Sequence, residues 1–189
     1  EVRIGTEKLK ATHTTPDALA ISSNLAAMRE AGVDYVFMEV SSHAMEQQRT
    51  AGLHFAGGIF TNMSHDHLDY HGTFKAYIEA KKSFFDGLSK TAFAIVNIDD
   101  KRGEVMIQNC VAKHYRYSLR QLTDFHAKLM DNSPQGLHLM INGQEVFTQL
   151  LGRFNAYNML AAFGAAQIVL GADDLAAQDL AGISSLRSA

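Results

Sequence analysis

Residues 57–98 read GGIFTNMSHDHLDYHGTFKAYIEAKKSFFDGLSKTAFAIVNI, and this stretch decides the fold. Two apolar runs, GGIFTNM (57–63) and TAFAIVNI (91–98), are short enough to be buried strands, and a helical pattern from about Thr73 to Leu88 separates them. A strand, a helix and a second strand in that order imply a parallel pair joined by a crossover. Upstream, VDYVFMEV (33–40) is a third apolar run and predicts another buried strand, ending at Ser41-Ser42-His43. Before it, THTTPDALAISSNLAAMREAG predicts a helix. Thr15 is a natural N-cap, Pro16 suits the first helical position, Asp17 favours the positive end of the dipole, and Gly32 offers a left-handed stop.

Downstream the pattern changes. From about 114 to 150, short alternating segments with turns at Ser133-Pro134-Gln135-Gly136 and Asn142-Gly143 predict antiparallel hairpins. NAYNMLAAFGAAQIVLG then reads as a buried helix, and an amphipathic helix follows near 173–182. The expected fold is α/β: a mostly parallel sheet flanked by helices, with a small antiparallel β subdomain, in one domain over 1–189.

The chain has 189 residues, 47% of them hydrophobic and 20% charged, enough to bury a core. A net charge of −3 gives no broad basic surface, so nucleic acid is not the expected partner. A single cysteine, Cys110, excludes an intrachain disulfide framework and fits a reducing, cytoplasmic setting. No run of about 18 apolar residues predicts a membrane span.

In open parallel sheets, ligands sit at the carboxyl ends of the strands. Glu39–His43, Asn62–His71 and Asn97–Asp100 all fall at such predicted ends, so three polar clusters are expected on one edge. In the helix 73–88 the apolar stripe passes through Lys81. An ammonium there is paired, snorkels to the surface, or, as a neutral amine, adds carbon dioxide to become a carbamate that can bind a metal. SHDHLDYHG (64–72) places three histidines and two aspartates between His65 and His71. A zinc site, a magnesium site using one histidine, and a hydrogen-bonded structural loop all remain open for it. Glu39 is expected to lie deep, at its strand end. Ser41, Ser42, Gln47 and Arg49 offer donors for a phosphorylated or carboxylated ligand, or simply cap a helix. Asn155 and Asn158 either cap the buried helix or meet a ligand.

TTPD (14–17), MEVSSHAMEQQR (38–49), FTNMSHDHLDYHGT (60–73), YIEAKK (77–82), NIDD (97–100) and GRFNAYN (152–158) together resemble the central domain of the Mur ligases. These are ATP-dependent amide-forming enzymes of peptidoglycan synthesis, with a P-loop NTPase-like central domain. EVSSHA followed by QxR resembles the branch that adds the third residue of the peptide.

The resemblance implies that Glu39, His67 and Lys81 serve magnesium, with Lys81 N-carboxylated, and that Asp66 is a supporting residue. It implies that Thr14, Thr15, Ser41, Gln47 and Arg49 bind UDP-MurNAc-L-Ala-D-Glu, that Asn155 meets the adenine of ATP with Asn158 in support, and that His65 and His71 shape the loop or touch substrate. The amino acid added is expected to be meso-diaminopimelate, with L-lysine as the alternative. A glycine-rich GxxGKTT loop, expected upstream of TTP, and the amino-acid-selecting C-terminal domain are not in the sequence. The expectation is therefore a monomeric fragment, inactive alone. Competing readings are another Mur ligase, a folylpolyglutamate or cyanophycin synthetase relative, a non-catalytic metal- or nucleotide-sugar-binding module, and a zinc hydrolase.

Overall fold

The computed structural model describes residues 1–64 and 68–171. His65, Asp66, His67 and the predicted helix near 173–182 lie outside the described residues. The chain groups into two compact units: residues 1–54 with 65–84, and residues 55–64 with 85–189.

The second unit carries a six-stranded sheet in simple sequential order: β3 (Gly57–Phe60), β4 (Phe93–Asn97), β5 (Lys113–Ser118), β6 (Phe125–Ser133), β7 (Gly136–Ile141) and β8 (Gln144–Thr148). β3, β4, β5 and β6 pair in parallel, and β6, β7 and β8 pair antiparallel. The mostly parallel α/β architecture expected from the sequence is therefore present. The antiparallel part starts later than expected, because Lys113–Ser118 pairs in parallel with β4, at Phe93↔Lys113 through Asn97↔Tyr117.

β4 reads FAIVN because it is a central strand. Ala94, Ile95 and Val96 are fully buried, with no solvent face to demand polar alternation. The hairpin turns follow their residues: Ser133 pairs with Gly136 around Pro134-Gln135, and Ile141 pairs with Gln144 around Asn142-Gly143. Asn142 and Gly143 have φ of 48° and 77°, the left-handed pair that a two-residue hairpin loop needs.

α5 (Gly103–Met106) follows β4, and α6 (Arg153–Leu170) covers the sheet. Its Ala156, Met159, Leu160 and Phe163 join Ile95, Tyr117, Phe125, Leu139, Ile141 and Val146 in one core. Each large aliphatic side chain buried there contributes about 1.5–3 kcal/mol. Gly164 allows the close approach of the helix, since a Cβ there would fall 2.6 Å from the Phe125 ring.

In the first unit, β1 (Val2–Ile4) and β2 (Glu7–Leu9) form an antiparallel hairpin. α1 spans Ala18–Glu30. Its N-cap is Asp17, whose carboxylate accepts from the Ala20 amide at 2.9 Å, and not Thr15. Gly32 ends it as predicted, with φ of 73° and the Val33 amide donating to the Met28 carbonyl at 3.0 Å. α2 (Ser42–Glu46), α3 (Leu68–His71) and α4 (Phe74–Asp86, of which residues to Phe84 belong to this unit) complete it.

Residues 33–40 depart from expectation. They form no strand, and Tyr35, Val36 and Phe37 are 55%, 43% and 80% exposed. A strand exists only by pairing with a neighbour, and none of the described residues pairs with this segment. Among the described residues no helix is long and apolar enough to cross a membrane.

Candidate functional site

The first unit assembles a polar network around α2. Ser41 caps this helix, its Oγ accepting from the Ala44 amide at 3.2 Å. Thr15, fully buried, ties Ser41 down. Its Oγ1 accepts from the Ser41 amide at 3.0 Å and donates to the Glu39 carbonyl at 2.8 Å. Thr15 was expected to cap α1; instead its hydroxyl fixes the backbone on both sides of Val40.

Beyond α2, Gln48 adopts φ of 52° and turns the chain so that Gln47 and Arg49 face one another. Arg49 donates through Nε and Nη2 to Gln47 Oε1 at 2.9 and 2.6 Å, and through Nη1 to the Thr15 carbonyl. Gln47 then donates its amide to the Tyr70 hydroxyl at 3.0 Å. Four of the five residues expected to bind substrate, Thr15, Ser41, Gln47 and Arg49, thus share one hydrogen-bonded chain. A guanidinium bound at both ends is orientationally fixed, which suits it to recognise a carboxylate or phosphate.

Thr14, the fifth, is exposed and lines a cavity of about 650 Å³ together with Glu39, Arg3, His13, Ile21 and Phe37. Glu39 was expected to be deep and is exposed, because the segment carrying it is not a buried strand. Lys81 is half-buried on α4, with Nζ 5.5 Å from the centroid of the Tyr77 ring, a cation–π arrangement. His67 lies outside the described residues, and so does its proposed supporting residue Asp66. Among the described residues, no three of His, Cys, Asp or Glu come together as a metal site.

His71 is the member of the histidine cluster that falls among the described residues, and both of its ring nitrogens are engaged. Its side chain is 2% exposed, Nε2 lies 2.9 Å from Ser42 Oγ, and Nδ1 lies 3.1 Å from Glu46 Oε2. Tyr70 and Glu46 escaped the sequence reading. Tyr70 lies inside FTNMSHDHLDYHGT, where the histidines and aspartates draw the notice, and Glu46 reads as an ordinary surface carboxylate.

In the second unit, two of the expected polar clusters do meet at the carboxyl ends of neighbouring strands. Asn97 Nδ2 donates to the Thr61 carbonyl at 2.8 Å, and the Met63 amide donates to Asp100 Oδ2 at 2.9 Å. Asp99 is fully engaged by Ser118 Oγ at 2.7 Å, the Leu119 amide at 2.9 Å and the Tyr157 hydroxyl at 2.9 Å. Burial and this carboxylate both push the Tyr157 hydroxyl above its ordinary pKa. Asn155 donates to the Leu151 carbonyl at 2.8 Å, and Asn158 donates to Asn155 Oδ1 at 3.3 Å. Neither side chain caps α6, whose N-cap is Gly152.

A mostly parallel sheet flanked by helices defines an α/β protein. Within that class, the family model "Mur ligase middle domain" matches residues 2–166, and the chain belongs to that family. It is 56% identical over 165 residues to the UDP-N-acetylmuramoyl-L-alanyl-D-glutamate--2,6-diaminopimelate ligase of Cytophaga hutchinsonii, covering 87% of this chain and 34% of that protein. It is 52% identical over 182 residues to the enzyme of the same name from Parabacteroides distasonis, covering 96% of this chain and 37% of that protein. A solved structure of a ligase of that name superposes with a TM-score of 0.79 at 32% identity, over 94% of this chain and 38% of that one. The chain spans about a third of the length of the curated relatives it matches.

Proposed function

We propose that this chain is the middle portion of a cytoplasmic, ATP-dependent ligase that joins meso-diaminopimelate to the D-glutamate of UDP-MurNAc-L-Ala-D-Glu. The observation that carries the reading is the chain of hydrogen bonds linking Thr15, Ser41, Gln47, Arg49 and Tyr70 in one unit. It accords with the activity named for relatives about half identical to this chain.

The reaction takes two steps. The γ-phosphoryl group of ATP passes to the free carboxylate of the D-glutamate, releasing ADP. The amine of diaminopimelate then attacks the acyl carbon, the carbon–oxygen bond to phosphate breaks, phosphate leaves, and the amine gives its proton to water. Such chemistry depends on positioning and on neutralising charge at the transferring group.

In this reading Arg49, Gln47 and Ser41, with Thr14, hold the UDP-sugar dipeptide. Thr15 acts through Ser41 and Arg49, because its own hydroxyl is buried and committed. Asn155, supported by Asn158, meets the adenine of ATP.

Glu39, His67 and Lys81 would hold magnesium, which when bound supplies positive charge to the phosphoryl oxygens. The donor chemistry fits. Glu39 offers an exposed carboxylate on a backbone fixed by Thr15. Lys81 lies half-buried on α4 and offers a primary amine. Carbon dioxide adding to that amine, with loss of a proton, forms an N–C bond and yields an anionic oxygen donor.

The test is to supply the full-length protein with UDP-MurNAc-L-Ala-D-Glu, ATP, magnesium and either meso-diaminopimelate or L-lysine, and to weigh the product. A gain corresponding to diaminopimelate supports the proposal. A gain with L-lysine alone corrects the substrate, and no gain with either rejects the reading. Lys81→Met is expected to abolish turnover in the same assay.

A further inference from the structure

α2 is five residues long, too short to persist by its own hydrogen bonds. It nevertheless carries Ser41 at its start and Gln47 and Arg49 at its end, and something outside it must keep it in place. Ser42 and Glu46 are four apart and share one face of the helix. His71 reaches both, with Nε2 at 2.9 Å from Ser42 Oγ and Nδ1 at 3.1 Å from Glu46 Oε2, so a single imidazole spans one turn.

The protons follow from the partners. A carboxylate only accepts, so Nδ1 carries the hydrogen toward Glu46, and in the neutral ring Nε2 accepts the Ser42 hydroxyl proton. Serine, histidine and carboxylate in that order resemble a hydrolase triad. Ser42, however, is 2% exposed and sits within the helix, where no substrate carbonyl can reach it.

The ring is packed as well as bonded. Its face stacks on Tyr77 at 5.3 Å and 23°, and Tyr70 meets its edge at 5.0 Å and 84°. Tyr77 in turn carries the Lys81 ammonium over its own ring. Tyr70, next in sequence to His71, packs on His43 of α2 with ring centroids 3.9 Å apart and accepts the Gln47 amide. Two adjacent residues of α3 therefore grip α2 and the turn that follows it, and His71 joins both to the helix bearing Lys81.

We propose that His71 is a positioning residue: clamped between Ser42 and Glu46 and stacked on Tyr77, it holds the Ser41–Arg49 edge in register with α4, so that substrate binding depends on it without contact. The proposal rests on the ligase reading given above.

The test uses the full-length ligase. Glu46 is 53% exposed, so Glu46→Ala removes one arm of the clamp without opening the core. Both Glu46→Ala and His71→Ala are expected to raise KM for UDP-MurNAc-L-Ala-D-Glu by about tenfold while KM for ATP stays within about twofold. The double variant is expected to be no worse than His71→Ala alone, since both changes break one unit. Glu46→Gln, which keeps an acceptor for Nδ1–H, and His71→Asn, whose amide reaches the Nδ1 position, are expected to recover most of the lost affinity. Exposed Lys75→Ala serves as the control.

Additive KM effects, an unchanged KM in Glu46→Ala, or a fall in kcat alone that tracks the folded fraction would overturn the proposal while leaving the ligase reading intact. Wild-type protein that neither binds the UDP-sugar dipeptide in calorimetry nor extends it overturns that reading, and this one with it.

Discussion

The backbone amide of Ser41 donates to Oγ1 of Thr15 at 3.0 Å, across 26 residues of sequence. The same hydroxyl donates to the Glu39 carbonyl, so one buried side chain fixes the stretch between a proposed metal ligand and a proposed substrate ligand. Thr15→Val keeps the shape but leaves a part-buried amide and carbonyl without that partner. It is expected to cost about 1–3 kcal/mol of stability. Thr15→Ser is expected to restore most of that loss. Thermal unfolding of the three proteins decides between a hydroxyl that bonds and one that merely fills space.

Arg49 makes a fork onto Gln47 and reaches the Thr15 carbonyl with its remaining nitrogen. Lysine keeps the charge but cannot make these bonds together. Arg49→Lys is expected to raise KM for the UDP-sugar dipeptide by about tenfold or more, with the thermal midpoint little changed. Steady-state kinetics checks it; an unchanged KM would show that charge alone suffices.

Gly103 is required by close approach. A Cβ there would fall 2.1 Å from the carbonyl oxygen of Asn97, a backbone atom that cannot rotate away. Gly103→Ala is expected to destabilise the second unit by about 1–3 kcal/mol, read as a lower denaturation midpoint. A variant as stable as wild type would mean that the turn after β4 yields freely.

Tyr117 is fully buried, and burial, helped by the nearby Tyr157, Asp100 and Asp99, pushes its hydroxyl well above the ordinary 10.0. The folded pKa is raised, so the stabilising contribution is complete below the unfolded value and is lost as pH rises past it. Stability is expected to fall above about pH 10, where the unfolded chain releases a proton that the folded one retains. Tyr117→Phe is expected to flatten that decline, although Tyr157 still titrates. Its cost at neutral pH should stay below about 1 kcal/mol, since the bond from its hydroxyl to the Thr61 carbonyl is long, at 3.5 Å. Urea unfolding at neutral and alkaline pH measures both effects.

Much of this protein was determined locally. The run FAIVN is apolar at every position but its last and therefore central. Asn142-Gly143 has the left-handed tolerance that a tight hairpin needs, and Gly32 stops α1 for the same reason. The side chains Thr15, Ser41, Gln47 and Arg49 were marked by their motif, and they lie in one network.

Other features were decided only by tertiary structure. VDYVFMEV has the composition of a buried strand, yet strand formation depends on a neighbour that no local pattern supplies. Thr15 and Asp17 are both good caps by residue type. Asp17 took that position while Thr15 turned inward to Glu39 and Ser41, partners about 25 residues away that outbid a local bond. For His71 the reason is geometric. A run of histidines suggests a metal, but the two nitrogens of this one are committed to Ser42 and Glu46, four apart on a helix that sequence proximity does not reveal.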